Sequence, residues 1–188
     1  MIAPLTLLNI LWMVWLVGWM LAARWTAKTV VRQSAAARLT HGLLVWAGAT
    51  LLFVRPERLG PLVHPVFPPA PWTAWAGVLL CAVGLAFAAW ARVRIGRFWS
   101  SAVVLKADHD LIRVGPYALT RHPIYTGLLL ALTGTALARD SLAGLLGLAL
   151  LLAGFVVKLR QEERLLLERF GPAYQAYRDE VPALIPRI

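Results

Sequence analysis

The sequence has one cysteine, few acidic residues and few histidines. Because Cys81 is the only cysteine, an internal disulfide and a CxxC metal site are both excluded. Cys81 lies within an apolar run. The histidines are scattered without the spacing of metal ligands, and we expect no metal site: His41, His64, His109 and His122. A GxGxxG phosphate loop is also missing, which argues against a Rossmann-type nucleotide fold.

Apolar residues are what the chain has in abundance. They make up 60% of 188 residues, and the mean hydropathy is +0.67. Soluble domains are about 45–50% apolar, so the composition indicates an integral membrane protein. The net charge of +10 is spread over short connections between apolar runs. This distribution is typical of membrane topology rather than nucleic-acid binding, and we expect no nucleic-acid partner.

Five apolar runs are long enough to suggest membrane spans, since a spanning helix needs about 20 residues. The first has no basic leader or convincing cleavage site, so we interpret it as a retained span. No strand-like alternation of useful length is present, and the predicted class is an all-α polytopic membrane protein. The predicted spans are Leu5–Ala23, Leu39–Val54, Trp72–Ala91, Pro123–Ala138 and Ser141–Val157.

The sequence predicts a single membrane domain, 1–188. Its first part, 1–91, holds three spans; its second, 92–188, holds a helical hairpin at 123–157 followed by C-terminal cytoplasmic helices. Most Lys and Arg residues lie in the connections 24–38 and 92–122 and in 158–188. The positive-inside rule therefore predicts an outside N-terminus and a cytoplasmic C-terminus. The expected location is the inner membrane of a prokaryote.

The stretch 115–127 places polar and cationic residues at a membrane edge, where they are costly unless they have a role. His122-Pro123 predicts a helix start at Pro123 with His122 as its cap. The free N–H groups of Ile124 and Tyr125 would then attract an anion such as a carboxylate. The alternative is a helix start with interfacial anchor residues only. Upstream, Gly115-Pro116 predicts a turn that brings Tyr117 near the same place.

A second polar cluster follows the fifth span. Lys158 and Glu162 are four residues apart and share a helix face. They form either a surface ion pair of little consequence, or a carboxylate for an ammonium group beside a cation for an anionic substrate. Further on, Gly171-Pro172 predicts a helix stop and restart, and 181–186 an extended tail that packs on the body.

The order of these motifs resembles the isoprenylcysteine carboxyl methyltransferase family, integral membrane enzymes that use S-adenosylmethionine. The resemblance covers about residues 92–188. It rests on Gly-Pro-Tyr at 115–117, Arg-His-Pro-x-Tyr-x-Gly at 121–127, Glu-Glu at 162–163, Phe-Gly-x-x-Tyr-x-x-Tyr at 170–177 and Pro-x-x-x-Pro at 182–186.

The resemblance implies a set of cofactor-binding residues. The segment before the turn would wrap the adenosine, and Glu162 would bind the amino-acid end. The implied contacts are His109, Asp110, Leu111, Ile112, Tyr117, His122, Pro123, Ile124, Tyr125 and Glu162. Lys158 stands where the eukaryotic enzymes have an arginine for the substrate carboxylate; it keeps the charge but loses the bidentate fork. The glutamine expected near 99–102 is replaced by Trp-Ser-Ser-Ala.

By this resemblance, the chain transfers a methyl group from S-adenosylmethionine to a lipid-like or hydrophobic acceptor that enters from the bilayer. A prenylated thioether carboxylate, a phospholipid amine and a small thiol all stay open. The cofactor cleft is expected on the cytoplasmic side. Two alternatives are an NADPH-dependent membrane reductase of the sterol-reductase type and a non-enzymatic scaffold. In a scaffold, Tyr117, His122 and Glu162 would be packing and interfacial residues.

Overall fold

The computed structural model describes residues 2–24, 29–32, 35–54, 58, 60–67, 70–96, 104–106 and 111–186. A short 3-10 turn at Gly60–Val63 precedes the third helix. The helices are α1 Pro4–Ala23, α2 Ala35–Phe53, α3 Pro71–Ile95, α4 Pro116–Leu119, α5 Pro123–Arg139, α6 Leu142–Phe170 and α7 Pro172–Glu180. The strands are β1 Thr29–Arg32 and β2 Val104–Lys106.

The all-α prediction is confirmed, and five of the described helices correspond to the five predicted runs. Within the described part of the chain, three helices are both long and apolar enough to cross a membrane: Pro4–Ala23, Trp72–Ile95 and Leu142–Phe170. For α2 and α5, crossing the membrane stays a prediction. The antiparallel pair β1–β2 was not predicted, because strands of three and four residues are too short to show alternation.

Glycines allow α5 to lie directly against α3 and α6 against α2. A Cβ added to Gly84 would lie 2.5 Å from the carbonyl oxygen of Gly127. One added to Gly134 would lie 2.4 Å from the carbonyl oxygen of Gly77. Between α2 and α6, Gly147 has the same relation to Gly48, at 2.6 Å. Small residues in α5 and α6 thus permit close helix contact, with α3 and α2 as the partners.

The turn between α5 and α6 is tight, as predicted. Asp140 has a positive φ of 41° and ends α5 in the left-handed conformation. Ser141 then caps α6, because its hydroxyl accepts a hydrogen bond from the N–H of Gly144 over 3.1 Å. The Asp140 carboxylate also accepts bonds from the N–H groups of Val66 and Phe67, each 3.0 Å long. The hairpin turn therefore anchors the loop that precedes α3.

Helix α6 continues well past the predicted end of the fifth span. The predicted span ends at Val157, and the helix runs on without a break to Phe170, where the predicted stop at Gly171-Pro172 is confirmed. The charged residues 158–164 are thus rigidly connected to an apolar helix. Helix propensity explains the continuation, because Leu, Arg, Gln and Glu are all good helix formers. The orientation of each charged side chain therefore follows from the packing of α6.

The core between α1, α3 and α5 contains polar groups that are satisfied internally. Trp12 donates its indole N–H to the hydroxyl oxygen of Thr135 over 2.9 Å. Thr135 in turn donates to the carbonyl oxygen of Ala131 over 2.8 Å. Cys81 is fully buried next to Thr135, which agrees with its interpretation as a small core residue.

Candidate active site

The start of α5 has the geometry that His122-Pro123 predicted. Pro123 is the first helical residue and His122 the N-cap, whose side chain makes no capping hydrogen bond. Among the backbone hydrogen bonds of the described residues, none is donated by the N–H of Ile124 or Tyr125. These first-turn donors and the helix dipole favour a negative group at this point.

The turn before it brings Tyr117 to the same region. Gly115 has a φ of 64°, a conformation that glycine adopts without strain, and Pro116 begins α4. Tyr117 is buried, and its carbonyl oxygen accepts a 2.5 Å hydrogen bond from the hydroxyl of Tyr177. Burial raises the pKa of the Tyr117 phenol, and the negative charge of Glu162 raises it further. Tyr117 therefore stays protonated and lies within the field of that carboxylate.

Glu162 reaches from α6 to the first turn of α5. The hydroxyl of Tyr125 donates a 2.6 Å hydrogen bond to its Oε1. The Nδ1 atom of His122 lies 3.6 Å from its Oε2. Burial opposes the charge on Glu162, but His122, Lys158 and Tyr125 together lower the pKa of the carboxyl below its ordinary value. Glu162 is therefore an anion at neutral pH, with its side chain 23% exposed.

The neighbouring carboxylate, Glu163, has different partners. Arg121 donates to its Oε1 through Nε and Nη2, over 2.9 Å and 2.5 Å. His122 Nε2 lies 3.3 Å from the same oxygen, and Arg178 Nε lies 3.9 Å from Oε2. Burial would raise the pKa of Glu163, but the hydrogen bonds from His122 and Arg121 outweigh it and lower the pKa to about 2. The charge of Glu163 is thus balanced within the protein.

His122 lies between these two carboxylates. Burial of its ring opposes protonation, but the hydrogen bonds and charges of Glu162 and Glu163 outweigh that effect and raise its pKa. The ring also stacks on Tyr125, with centroids 5.8 Å apart and planes 19° apart. Its face and both edges are therefore in contact with other groups of the site.

Lys158 lies over the ring of Tyr125. It is buried, and its Nζ is 5.6 Å from the centroid of the Tyr125 ring, within cation–π range. Phe155 stacks on the same ring at 5.4 Å. The structure thus brings Tyr117, His122, Tyr125, Lys158 and Glu162 together, as the sequence predicted.

The family model for phospholipid methyltransferases matches residues 72–173, which is more than half of the chain. The chain belongs to this family. The match includes the turn, the start of α5, and Glu162 and Glu163 of α6.

Curated relatives agree with the resemblance to isoprenylcysteine methyltransferases. The protein-S-isoprenylcysteine O-methyltransferase of Schizosaccharomyces pombe is 36% identical over 52% of this chain and 43% of its own length. The methanethiol S-methyltransferase 2 of Bradyrhizobium diazoefficiens is 42% identical over 38% of this chain and 27% of its own. The cobalt-zinc-cadmium resistance protein CzcN of Cupriavidus metallidurans is 34% identical over 61% of this chain and 52% of its own. The chain thus spans about half or less of these relatives.

The structure does not test every predicted site residue. His109 and Asp110, like Trp99–Ala102, lie outside the described residues. Leu111 and Ile112 are half-buried just before the Gly115 turn, and their contribution to a binding site stays a prediction. Within the described ranges, no group of three His, Cys, Asp or Glu residues could hold a metal ion.

Sequence reasoning did not assign a role to Glu163 or a specific partner to Arg121. Both were visible in the motifs, as Glu-Glu and Arg-His-Pro. The spacing alone does not say which carboxylate faces α5 and which faces Arg121, because adjacent helical residues point about 100° apart. The partners are 42 positions apart in the sequence, so only the packing of α6 on α5 reveals them.

Proposed function

We propose that this family member is a membrane methyltransferase that uses S-adenosylmethionine and methylates a hydrophobic acceptor. The observation that supports it most is Glu162, an anionic and partly exposed carboxylate held beside the start of α5. An anion next to a helix N-terminus pairs a site for an ammonium with a site for a carboxylate. The amino-acid end of S-adenosylmethionine carries both groups.

The residues present fit this cofactor. Glu162 would bind its ammonium, and the N–H groups of Ile124 and Tyr125 its carboxylate. The turn residue Tyr117 and the segment with Leu111 and Ile112 would contact the adenosine, together with His109 and Asp110. When bound, S-adenosylmethionine supplies an electrophilic methyl group, and its transfer depends mainly on proximity and alignment.

Tyr125 has a central place in this proposal because it contacts both proposed sites. Its hydroxyl donates a hydrogen bond to Glu162, and the Nζ of Lys158 lies over its ring. A buried cation there would attract the negative group of an acceptor whose apolar part lies in the bilayer. A carboxylate acceptor fits this charge and needs no general base, because it is already ionised at neutral pH.

A thiol is the second candidate acceptor, because two relatives are named for methanethiol. A thiol is largely protonated at neutral pH and has to lose its proton before or during the transfer. Lys158 would then serve to stabilise the thiolate. The two classes differ in their need for a proton acceptor, and a direct comparison of substrates separates them.

The site is less suited to an NADPH-dependent reductase. A 2′-phosphate requires basic side chains that are available to it. Near the candidate site, Arg121 and Arg178 contact Glu163, and Arg113 forms an ion pair with Glu180. These guanidinium groups already have carboxylate partners.

Calorimetric titration of the detergent-purified protein with S-adenosylhomocysteine and with NADPH tests the proposal. We expect micromolar binding of S-adenosylhomocysteine. Binding of NADPH alone would overturn the methyltransferase and support the reductase. Binding of neither would support the scaffold.

Two matched variants refine the test. Glu162→Gln removes the negative charge, and we expect it to weaken S-adenosylhomocysteine binding about tenfold or more, since a charge-assisted bond contributes about 1.5–3 kcal/mol. Glu168→Gln is the control, because Glu168 is exposed on the same helix. Equal S-adenosylhomocysteine affinity of the two variants would show that Glu162 does not bind the cofactor.

A further variant, Lys158→Met, concerns the acceptor. Lys158→Met should raise the KM for a prenylcysteine acceptor while S-adenosylhomocysteine affinity stays close to that of the wild type. An equal loss of both would contradict a role for Lys158 at the acceptor. Incubation of membrane lipids, a prenylcysteine and methanethiol with radiolabelled S-adenosylmethionine then identifies the acceptor class.

A further inference from the structure

The segment that follows α7, Val181–Pro186, runs alongside the start of α5; we call it the closing segment. The N–H of Arg121 donates to the carbonyl oxygen of Pro182 over 2.9 Å, and that of His122 to Ala183 over 3.0 Å. The hydroxyl of Thr126 donates to the carbonyl oxygen of Leu184 over 2.7 Å. The backbone at His122 is therefore fixed by a part of the chain about 60 residues away.

The side chain of Arg121 fastens the closing segment to α6. Its Nη1 donates to the carbonyl oxygens of Arg178, over 3.1 Å, and Val181, over 2.5 Å. These carbonyls lie at the end of α7, where helical partners are missing. Its Nε and Nη2 bind Glu163, and the side chain is only 9% exposed. One guanidinium thus joins α6, α7 and the start of α5.

The ring of His122 is held from several sides as a result. Glu163 lies at its Nε2 edge, and Tyr125 stacks on its face. The remaining nitrogen, Nδ1, is the one that lies near Glu162. Any rotation of the ring toward Glu163 would take Nδ1 away from Glu162 and change the field at that carboxylate.

We propose that Arg121, Glu163 and the closing segment are positioning elements that fix the His122 ring and, through it, the orientation and charge environment of Glu162. None of them is among the residues proposed above to bind the cofactor or the acceptor. The proposal rests on the proposed function only in so far as Glu162 binds the cofactor.

A positioning role makes a prediction that a purely structural role does not. In Arg121→Gln the carboxylate of Glu163 loses its guanidinium partner. Its negative charge then acts more strongly on His122, so the pKa of the ring should rise. Without the carboxylate, Glu163→Gln should lower it. The other groups that face the ring are Glu162 and Tyr125, with Arg178 acting through Glu163, and they are unchanged in both variants. The two substitutions remove the two partners of one ion pair, and they should shift the pKa of His122 in opposite directions.

The experiment combines NMR titration of histidine-labelled protein with S-adenosylhomocysteine titration. His122→Asn identifies the ring signal among the histidines. We expect opposite shifts in the His122 titration for Arg121→Gln and Glu163→Gln, and about a tenfold loss of affinity in each. Arg160→Gln and Glu168→Gln, both exposed on α6, are the charge-matched controls. Shifts of the same sign, or affinities equal to the controls, would overturn the proposal.

Two further variants keep the test decisive if these proteins do not fold. Arg121→Lys keeps the charge but cannot reach Glu163 and the α7 carbonyls together, and it should bind with intermediate affinity. Thr126→Val removes the bond to Leu184 and should weaken binding with a small change in Tm; wild-type affinity in both variants would overturn the proposal. If the wild type does not bind S-adenosylhomocysteine, the proposed function fails, whereas the His122 titration still decides whether the positioning elements act on the ring.

Discussion

The hydroxyl of Tyr125, in the first turn of α5, donates a 2.6 Å hydrogen bond to Glu162, in the charged part of α6. This bond joins a helix start to a carboxylate 37 positions away. It also orients the carboxylate, because a short bond to one oxygen leaves the other directed toward His122. The residues of the candidate site are therefore mutually arranged and do not form a simple surface ion pair.

Tyr125→Phe removes this bond and keeps the aromatic stack with Phe155 and His122. A hydrogen bond to a charged group contributes about 1.5–3 kcal/mol, so we expect a lower Tm and weaker S-adenosylhomocysteine binding. Thr133→Val is the control, because Thr133 lies on the same helix, is exposed, and bonds only to the carbonyl of Leu129 among the described contacts. If both variants bind equally well, the Tyr125 bond does not organise the site.

The pH dependence of stability should reflect His122 and Glu163. The raised pKa of His122 adds stability that is complete below its ordinary value, about 6.5, and is lost as the pH rises through the folded-state pKa. The lowered pKa of Glu163 adds stability that is complete above about 4.5 and is lost as the pH falls toward about 2. For this cluster, stability is therefore greatest between about pH 4.5 and 6.5.

Thermal unfolding in detergent from pH 4 to 9 measures this profile. We expect Tm to fall on the alkaline side in the wild type and to be nearly flat there in His122→Gln. An alkaline decline of the same size in both proteins would show that another group is responsible.

Local signals in the sequence were sufficient for the start of α5 and for the break between α6 and α7. Pro123 begins α5 and Gly171 separates α6 from α7, because proline and glycine act on the backbone within one turn. The cluster around Glu162 was also predictable, since the motifs lie in order along the chain. The pairing of α5 with α3 and of α6 with α2 was not, because glycines on a helix show that a close contact exists without naming its partner. The distinct partners of Glu162 and Glu163 depend on that packing.

The hairpin turn between α5 and α6 provides a stability test away from the site. Asp140→Ala loses both hydrogen bonds from Val66 and Phe67 and places alanine at a φ of 41°. We expect a cost of about 1–2 kcal/mol, from the lost bonds and the left-handed backbone. Asp140→Asn keeps an oxygen acceptor and tolerates this conformation, so its Tm should stay close to that of the wild type. Equal Tm values for Ala and Asn would rule out the anchoring role of the carboxylate.

The close contact between α3 and α5 gives the sharpest packing prediction. A Cβ at Gly84 would lie 2.5 Å from both the N of Ala131 and the O of Gly127, which are backbone atoms that cannot move independently. Gly84→Ala should therefore force the helices apart and cost about 1–3 kcal/mol, the usual range for overpacking.

Gly18→Ala is the matched control in α1, because a Cβ there meets nothing within 4 Å. Alanine is the better helix former by about 1 kcal/mol, so that variant should unfold at the same or a higher temperature. Since α5 carries His122 and Tyr125 at its start, Gly84→Ala should also weaken S-adenosylhomocysteine binding; a variant with unchanged Tm and affinity would contradict the contact between α3 and α5.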